Sequence, residues 1–171
     1  ASASHHASVI VDSYVQAMKY YQQGTQLYAE QRASDAILAF KKARELMPKN
    51  ADVAYNLGMT MTIDVRTGAR VINREVYSEG AAVLELATRL APTDAHIAEF
   101  TGRATLDDLP SLSARAFLLA ASLEPARWVW CASAQQSRIS WRWSERDRYA
   151  ENEVRSRAEK WLHRGMPRDG N

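Results

Sequence analysis

Three times in this 171-residue chain an apolar, helix-forming run closes on the same frame of residues, Ala-x-x-Leu-x-Pro, at 43–48, 87–92 and 120–125. Proline has no backbone N–H, and its ring clashes with the carbonyl four residues back, so each of these prolines ends a helix at an equivalent point. Three equivalent ends in one short chain predict one helical unit used repeatedly. Composition agrees. Seven Gly and five Pro punctuate long stretches rich in Ala, Leu, Arg and Glu, which are good helix formers, and strand-like alternation is hard to find. An all-α fold follows, and 171 residues are enough for one continuous core.

The unit has an internal pattern. A small residue lies within a first helix and another opens a second helix; a bulky apolar residue follows four later, Ala three after that, and Pro five further on. In repeat 1, residues 17–50, these positions are Tyr20, Gly24, Ala36, Phe40, Ala43 and Pro48, within a 34-residue frame. Two short antiparallel helices that cross closely need a gap for the opposing backbone, which Gly24 and Ala36 leave. Phe40 is expected to fill the space between successive pairs, and Ala43 continues its face at i+3. Ser34, just ahead of an apolar-periodic run, is the expected N-cap of the second helix.

These residues resemble the tetratricopeptide repeat (TPR) family. The family's first-helix pattern returns as Tyr55-Asn56-Leu57-Gly58 in repeat 2 and, less completely, as Phe100-Thr101-Gly102 in repeat 3. The resemblance implies an α-α superhelix, a right-handed TPR solenoid of about three helix-turn-helix repeats (17–50, 51–94 and 95–127), within 9–125. The packing positions it implies are Gly24, Ala36, Phe40, Ala43, Pro48, Gly58, Ala87, Pro92, Gly102 and Pro125. One spacing departs from the family: Pro48 to Pro92 is 44 residues, ten beyond the period, while Pro92 to Pro125 is 33. Repeat 2 therefore carries an insertion between Met61 and Gly80, around Asp64–Arg70. Because Val71, Ile72, Val76 and Tyr77 keep an apolar rhythm across it, longer helices are expected there instead of a loop.

Beyond Pro125 the pattern degenerates. Residues 126–171 carry 10 Lys+Arg against 6 Asp+Glu, whereas 1–125 carry 12 against 14, and all five tryptophans fall in this basic tail. Two further helices are expected, a Trp-rich cap sealing the apolar end of the last repeat. Trp128, Trp130, Trp141 and Trp161 would form a terminal core layer, with Trp143 half exposed. The alternative makes Trp141, Arg142 and Trp143 a contact surface for another protein, since aromatics and Arg dominate binding hot spots. At the other end, residues 1–8 open Ala-Ser-Ala-Ser-His-His without an initiator Met. They are read as a flexible N-terminus, a processed end or a tag scar, with His5-His6 part of it and not a metal site.

TPR domains bind through the concave face of their first helices, and the resemblance carries that face onto Met18, Tyr21, Thr25 and Tyr28 in repeat 1. It continues with Asp52, Tyr55, Asn56 and Met59 in repeat 2 and with His96, Glu99 and Arg103 in repeat 3. Such a groove, aromatic and Met-rich at one end and polar at the other, suits an amphipathic helix or an extended peptide, unless the segment from Val9 to Val15 covers part of it. The family's carboxylate clamp uses Lys and Asn from repeat 1, Asn from repeat 2, and Lys and Arg from repeat 3. Here the positions read Tyr21, Thr25, Asn56, His96 and Phe100; only Asn56 matches, which argues against binding of chaperone C-termini.

No Gly-rich phosphate loop, His-Glu-x-x-His run or Gly-x-Ser-x-Gly elbow is present, and Cys131 is the only cysteine. Asp107-Asp108 reads as an inter-helix loop, and His96 and His163 lie on different elements. No catalytic residue, metal site or cofactor is expected. The expected function is a non-catalytic protein–protein interaction scaffold or adaptor, a subunit or assembly factor of a larger complex, with self-association through exposed apolar ends conceivable. The alternatives are a regulatory TPR segment of a larger enzyme and an RNA-binding helical repeat, the latter disfavoured by the mixed Asp52, Glu99 and Arg103 lining. A mature mitochondrial or plastid protein is favoured over a bacterial cytoplasmic or periplasmic one. No run approaches the roughly 20 apolar residues of a membrane span.

Overall fold

The computed structural model describes residues 2–124. Pro125 and everything read for 126–171, including the Trp-rich cap and Trp141, Arg142 and Trp143, lie outside these residues. The described chain is all-helical: α1 (Ser2–Ala29), α2 (Ala33–Leu46), α3 (Ala51–Thr62), α4 (Arg74–Leu90), α5 (Ala95–Ala104) and α6 (Pro110–Leu123). Its only β pairing among the described residues is an isolated bridge, Ile63 to Arg70. Two compact units divide the chain, Ala1–Ala91 with α1 to α4, and Pro92–Asn171, whose described part holds α5 and α6. In the first unit α1 packs on α2, α2 on α3 and α3 on α4, and α1 also meets α3; in the second, α5 packs on α6.

The helices pair at residues that leave room. A Cβ on Gly24 would lie 2.7 Å from the ring of Phe40, one on Gly58 2.8 Å from Leu84 Cγ, and one on Gly102 2.7 Å from the ring of Phe117. Phe40 thus fills the gap over Gly24 inside its own pair, where the expectation put it between successive pairs. Leu84 and Phe117 are its counterparts, each eight residues before its helix-ending proline, as Phe40 is. Twelve before it stand the small residues Ala36, Gly80 and Ser113, and five before it Ala43, Ala87 and Ala120; all are buried. Burying a side chain the size of Phe40 or Leu84 contributes about 2–3 kcal/mol, so the same contact made three times is a large part of the core.

Local chemistry sets the helix ends. Asn50, Asn73 and Asp94 cap α3, α4 and α5, each accepting a backbone N–H of the first turn on its side chain. Ser34 is not a cap. α2 starts one residue earlier, at Ala33, with Arg32 at the N-cap position and no side-chain cap bond. The cause is the end of α1, where Gln31 takes a left-handed conformation (φ 62). Its N–H donates to Tyr28 O and that of Arg32 to Leu27 O, both at 2.9 Å. This is a Schellman ending with Gln where glycine is usual.

The insertion lengthens one helix only slightly, α4 having 17 residues against 14 in α2 and in α6 and taking in Val76 and Tyr77, and the rest of it is a turn. α3 stops at Thr62 and residues 63–73 form a small closed hairpin: Asp64 N–H donates to Ala69 O (2.8 Å) and Val71 N–H to Thr62 O (2.9 Å). The Asp64 side chain accepts from the N–H groups of Arg66 and Thr67, and Gly68 supplies a positive φ of 66. An Asp four residues before a Gly offers the backbone a turn in place of a helix, and it outweighed the apolar rhythm. Of that rhythm Tyr77 is buried, but Ile72 is 94% exposed. At the N-terminus α1 takes in residues 2–8, expected as a flexible end, since no Gly or Pro interrupts the chain before Gly24. The Val9–Val15 segment likewise belongs to α1 and does not fold back over it.

Two substitutions test this account in urea unfolding. Gly80→Ala sets a Cβ 2.6 Å from Met61 Cβ, an overpacking cost that exceeds the helix-propensity gain, and should lower stability by about 1–2 kcal/mol. Gln31→Gly relieves the left-handed residue and should raise it by about 1 kcal/mol.

Candidate functional site

Burying Ala17, Gly24 and Leu27 against the core turns the neighbouring stripe of α1, Met18, Tyr21, Thr25 and Tyr28, to the flank of the helix, where Thr25 is exposed and the others are half-buried. α3 behaves alike: Val53, Ala54, Leu57, Gly58 and Met61 are buried, Tyr55, Asn56 and Met59 are half-buried, and Asp52 is exposed. The two stripes meet. Asn56 Nδ2 donates to Tyr21 Oη at 3.0 Å and also reaches Asp52 O at 2.9 Å. Tyr21 stands on the core through its ring, 5.9 Å from that of Phe40 and tilted by 55°, and Thr25 Oγ1 donates to Tyr21 O.

The electrostatics of this surface are acidic. Burial, and after it the Asp52 carboxylate, push the Tyr21 phenol above its ordinary pKa, with the Asn56 hydrogen bond pulling the other way. Burial and then Asp64 raise Tyr28 in the same manner. Both phenols therefore stay neutral at physiological pH. With Asn56 donating to it, the Tyr21 hydroxyl keeps its own proton for an acceptor. The backbone N–H groups of Arg66 and Thr67 hold Asp64 below the usual carboxylate range, so it stays charged.

His96, Glu99 and Arg103 share a face of α5 in the second unit. His96 and Arg103 are exposed, Glu99 is half-buried, and the Glu99–Arg103 pair is 3.8 Å apart. Asp107 and Asp108 lie in the loop between α5 and α6. Among the described residues no group of three or more His, Cys, Asp or Glu is placed to hold a metal ion, and no helix is long and apolar enough to cross a membrane.

Two features were missed from sequence. One is Asp64, the hairpin acid beside Tyr28, which the Asp64-to-Gly68 turn spacing could have revealed. The other is a cleft of about 320 Å³ between the α1–α2 turn and the hairpin, lined by Arg32, Ser34, Asp35, Asp64 and Arg66 among others. It depends on the left-handed Gln31 and had no sequence signal. There Arg32 pairs with Asp35 at 2.7 Å, and the charges largely cancel.

No family model matches the chain, and no curated protein is similar to it.

Because Asp52 raises the Tyr21 pKa and the Asn56 hydrogen bond lowers it, two substitutions move it in opposite directions. Asp52→Asn should lower it and Asn56→Ala should raise it, followed by the 13Cζ shift of labelled tyrosine over an alkaline titration.

Proposed function

We propose that the helix pairs are tetratricopeptide-type repeats stacked as a right-handed solenoid with a Trp-rich C-terminal cap, and that the protein is a non-catalytic scaffold or adaptor. It holds a protein partner against the first helices of its repeats, as a subunit or assembly factor of a larger complex. The observation that carries this reading is the joined stripe of α1 and α3. Tyr21, Tyr28, Met18 and Met59 are half-buried on helix flanks, each with part of its side chain open to solvent. Tyr21 and Asn56 are tied across the helices by a hydrogen bond, which presents a pre-organised aromatic and amide surface. The three recurring glycine–knob contacts support the repeat assignment, because a shared packing unit is what a solenoid requires. Nucleic acid is a poorer match: the stripe carries Asp52 and lies beside Asp64, which would repel a phosphate backbone.

The test is affinity capture from native extract with three chains: wild type, Tyr21→Ala/Tyr55→Ala, and Arg142→Ala/Trp143→Ala, each checked by circular dichroism. A stoichiometric protein should be retained by wild type and lost from the first variant. Truncating a central aromatic costs about 2 kcal/mol, roughly thirtyfold in Kd. Loss only from the second variant would move the binding face to the tail, and capture abolished by nuclease would replace this reading with an RNA-binding one.

A further inference from the structure

The α1/α3 surface has a charge pattern that narrows its partner. Asp52, on the first turn of α3, is exposed and makes no ion pair or side-chain hydrogen bond with another described residue. Asp64, just past the last turn of α3, accepts the backbone N–H groups of Arg66 and Thr67 on Oδ1, and with the Thr67 side chain these keep it charged. Asn56 joins the first acid's residue to its phenol, donating to Asp52 O and Tyr21 Oη, while Asp64 lines the same cleft as Gln31, whose N–H donates to Tyr28 O; each carboxylate also raises the pKa of the phenol it is paired with. Many cations of this unit are engaged elsewhere: Lys41 with Glu79, Lys42 over the Tyr20 ring, Arg32 with Asp35, Arg70 over the Tyr77 ring. Among the described residues Arg66 acts on Asp64, but as the smallest of the influences on it.

A partner that covers this stripe must deal with two charges. An apolar segment would bury Asp52 without compensation, and an acidic one would meet like charge; both lose binding energy. A Lys or Arg gains on both counts, since its head can pair with the carboxylate and lie over a tyrosine face while its alkyl stem covers the half-buried apolar side chains of the stripe. We infer that the α1/α3 stripe binds an extended basic segment of a protein partner, placing one Lys or Arg between Asp52 and Tyr21 and a second between Asp64 and Tyr28. The inference rests on the protein-binding reading of this surface. The geometry also sets a spacing. From Asp52 to the end of α3 at Thr62 is ten residues of helix, about 15 Å at 1.5 Å per residue, and Asp64 lies two non-helical residues further on, a separation that an extended peptide spans in about five or six residues. The two basic residues are therefore about that far apart.

The test is selection of random peptides displayed on phage against the immobilised full chain. The wild-type chain should enrich peptides with two Lys/Arg positions five or six residues apart. Asp52→Lys, on an exposed position, should switch one of the two positions to Asp/Glu and leave the other basic, an outcome that general loss of structure does not produce. With a synthetic peptide of the selected sequence, Asp52→Asn and Asp64→Asn should each weaken binding by about two- to fivefold; Asn at 64 keeps the turn acceptor while removing the charge. If acidic or uncharged peptides are enriched, and Tyr21→Ala abolishes their binding, the surface stands and its basic partner is refuted. Enrichment of no peptide, or of peptides indifferent to Tyr21→Ala and Tyr55→Ala, overturns both. If light scattering shows instead that the chain dimerises and Tyr21→Ala dissolves the dimer, the occupant is a second copy and the inference falls.

Discussion

The closeness with which paired helices approach at a residue with little or no side chain governs the rest of this molecule. Gly24 seats the Phe40 ring and Gly102 the Phe117 ring; at α3/α4, a Cβ on Gly58 would sit 2.9 Å from Gly80 O, backbone against backbone. Such a seat fixes the rotation of a helix about its axis as well as its distance. Once Gly24 and Leu27 face inward, the 3.6-residue period sends Tyr21, Thr25 and Tyr28 to the flank, and the same rule on α3 delivers Asn56 to Tyr21. The surface offered to a partner is thus a by-product of core packing, and its side chains need no loop to position them.

The three pairs meet one requirement with different residues, and the differences compensate. Where α2 has Ala36 and Phe40, α4 has Gly80 and Leu84: the knob is smaller, and the loss of a methyl at the other position lets the backbones close the space. α6 returns to a ring at Phe117 but carries Ser113, fully buried. A buried hydroxyl is costly without a partner, and Ser113 Oγ donates to Gly102 O at 2.7 Å, across the pair. The glycine therefore serves twice there, as a gap for the ring and as an accessible carbonyl.

Much of this was legible in the sequence, because it depends on side-chain size at fixed intervals from a helix-breaking proline. Gly24, Ala36, Phe40, Ala43, Gly58, Ala87 and Gly102 are all buried residues of the helix pairs, and the stripe residues of α1 and α3 lie on the helices expected for them. What failed was local and polar. The apolar rhythm holds for Val76 and Tyr77, which lie in α4, but it read Val71 and Ile72 as helix too, because periodicity does not see that Asp64 can satisfy two backbone N–H groups itself. Ser34 read as a cap because capping residues are recognised by type, whereas the start of α2 is set by a left-handed Gln31 that no residue preference announces. Asp64 entered the site only through the hairpin, so the second acid of the stripe could not be foreseen from helix registers.

The hairpin at 63–73 leaves the chain where it picked it up, because the Val71 N–H bonded to Thr62 O brings its two ends together at the foot of the loop. Extra sequence held between clasped ends is invisible to the helices on either side: Gly58 and Gly80 meet without any register having been spent on it. Repeat 2 has in this way separated its architecture from its length. The crown of that loop, with Arg66, Thr67 and Gly68 open to solvent, is the part of the molecule freest to diverge, a graft point where a new sequence can be worn without altering what it is mounted on.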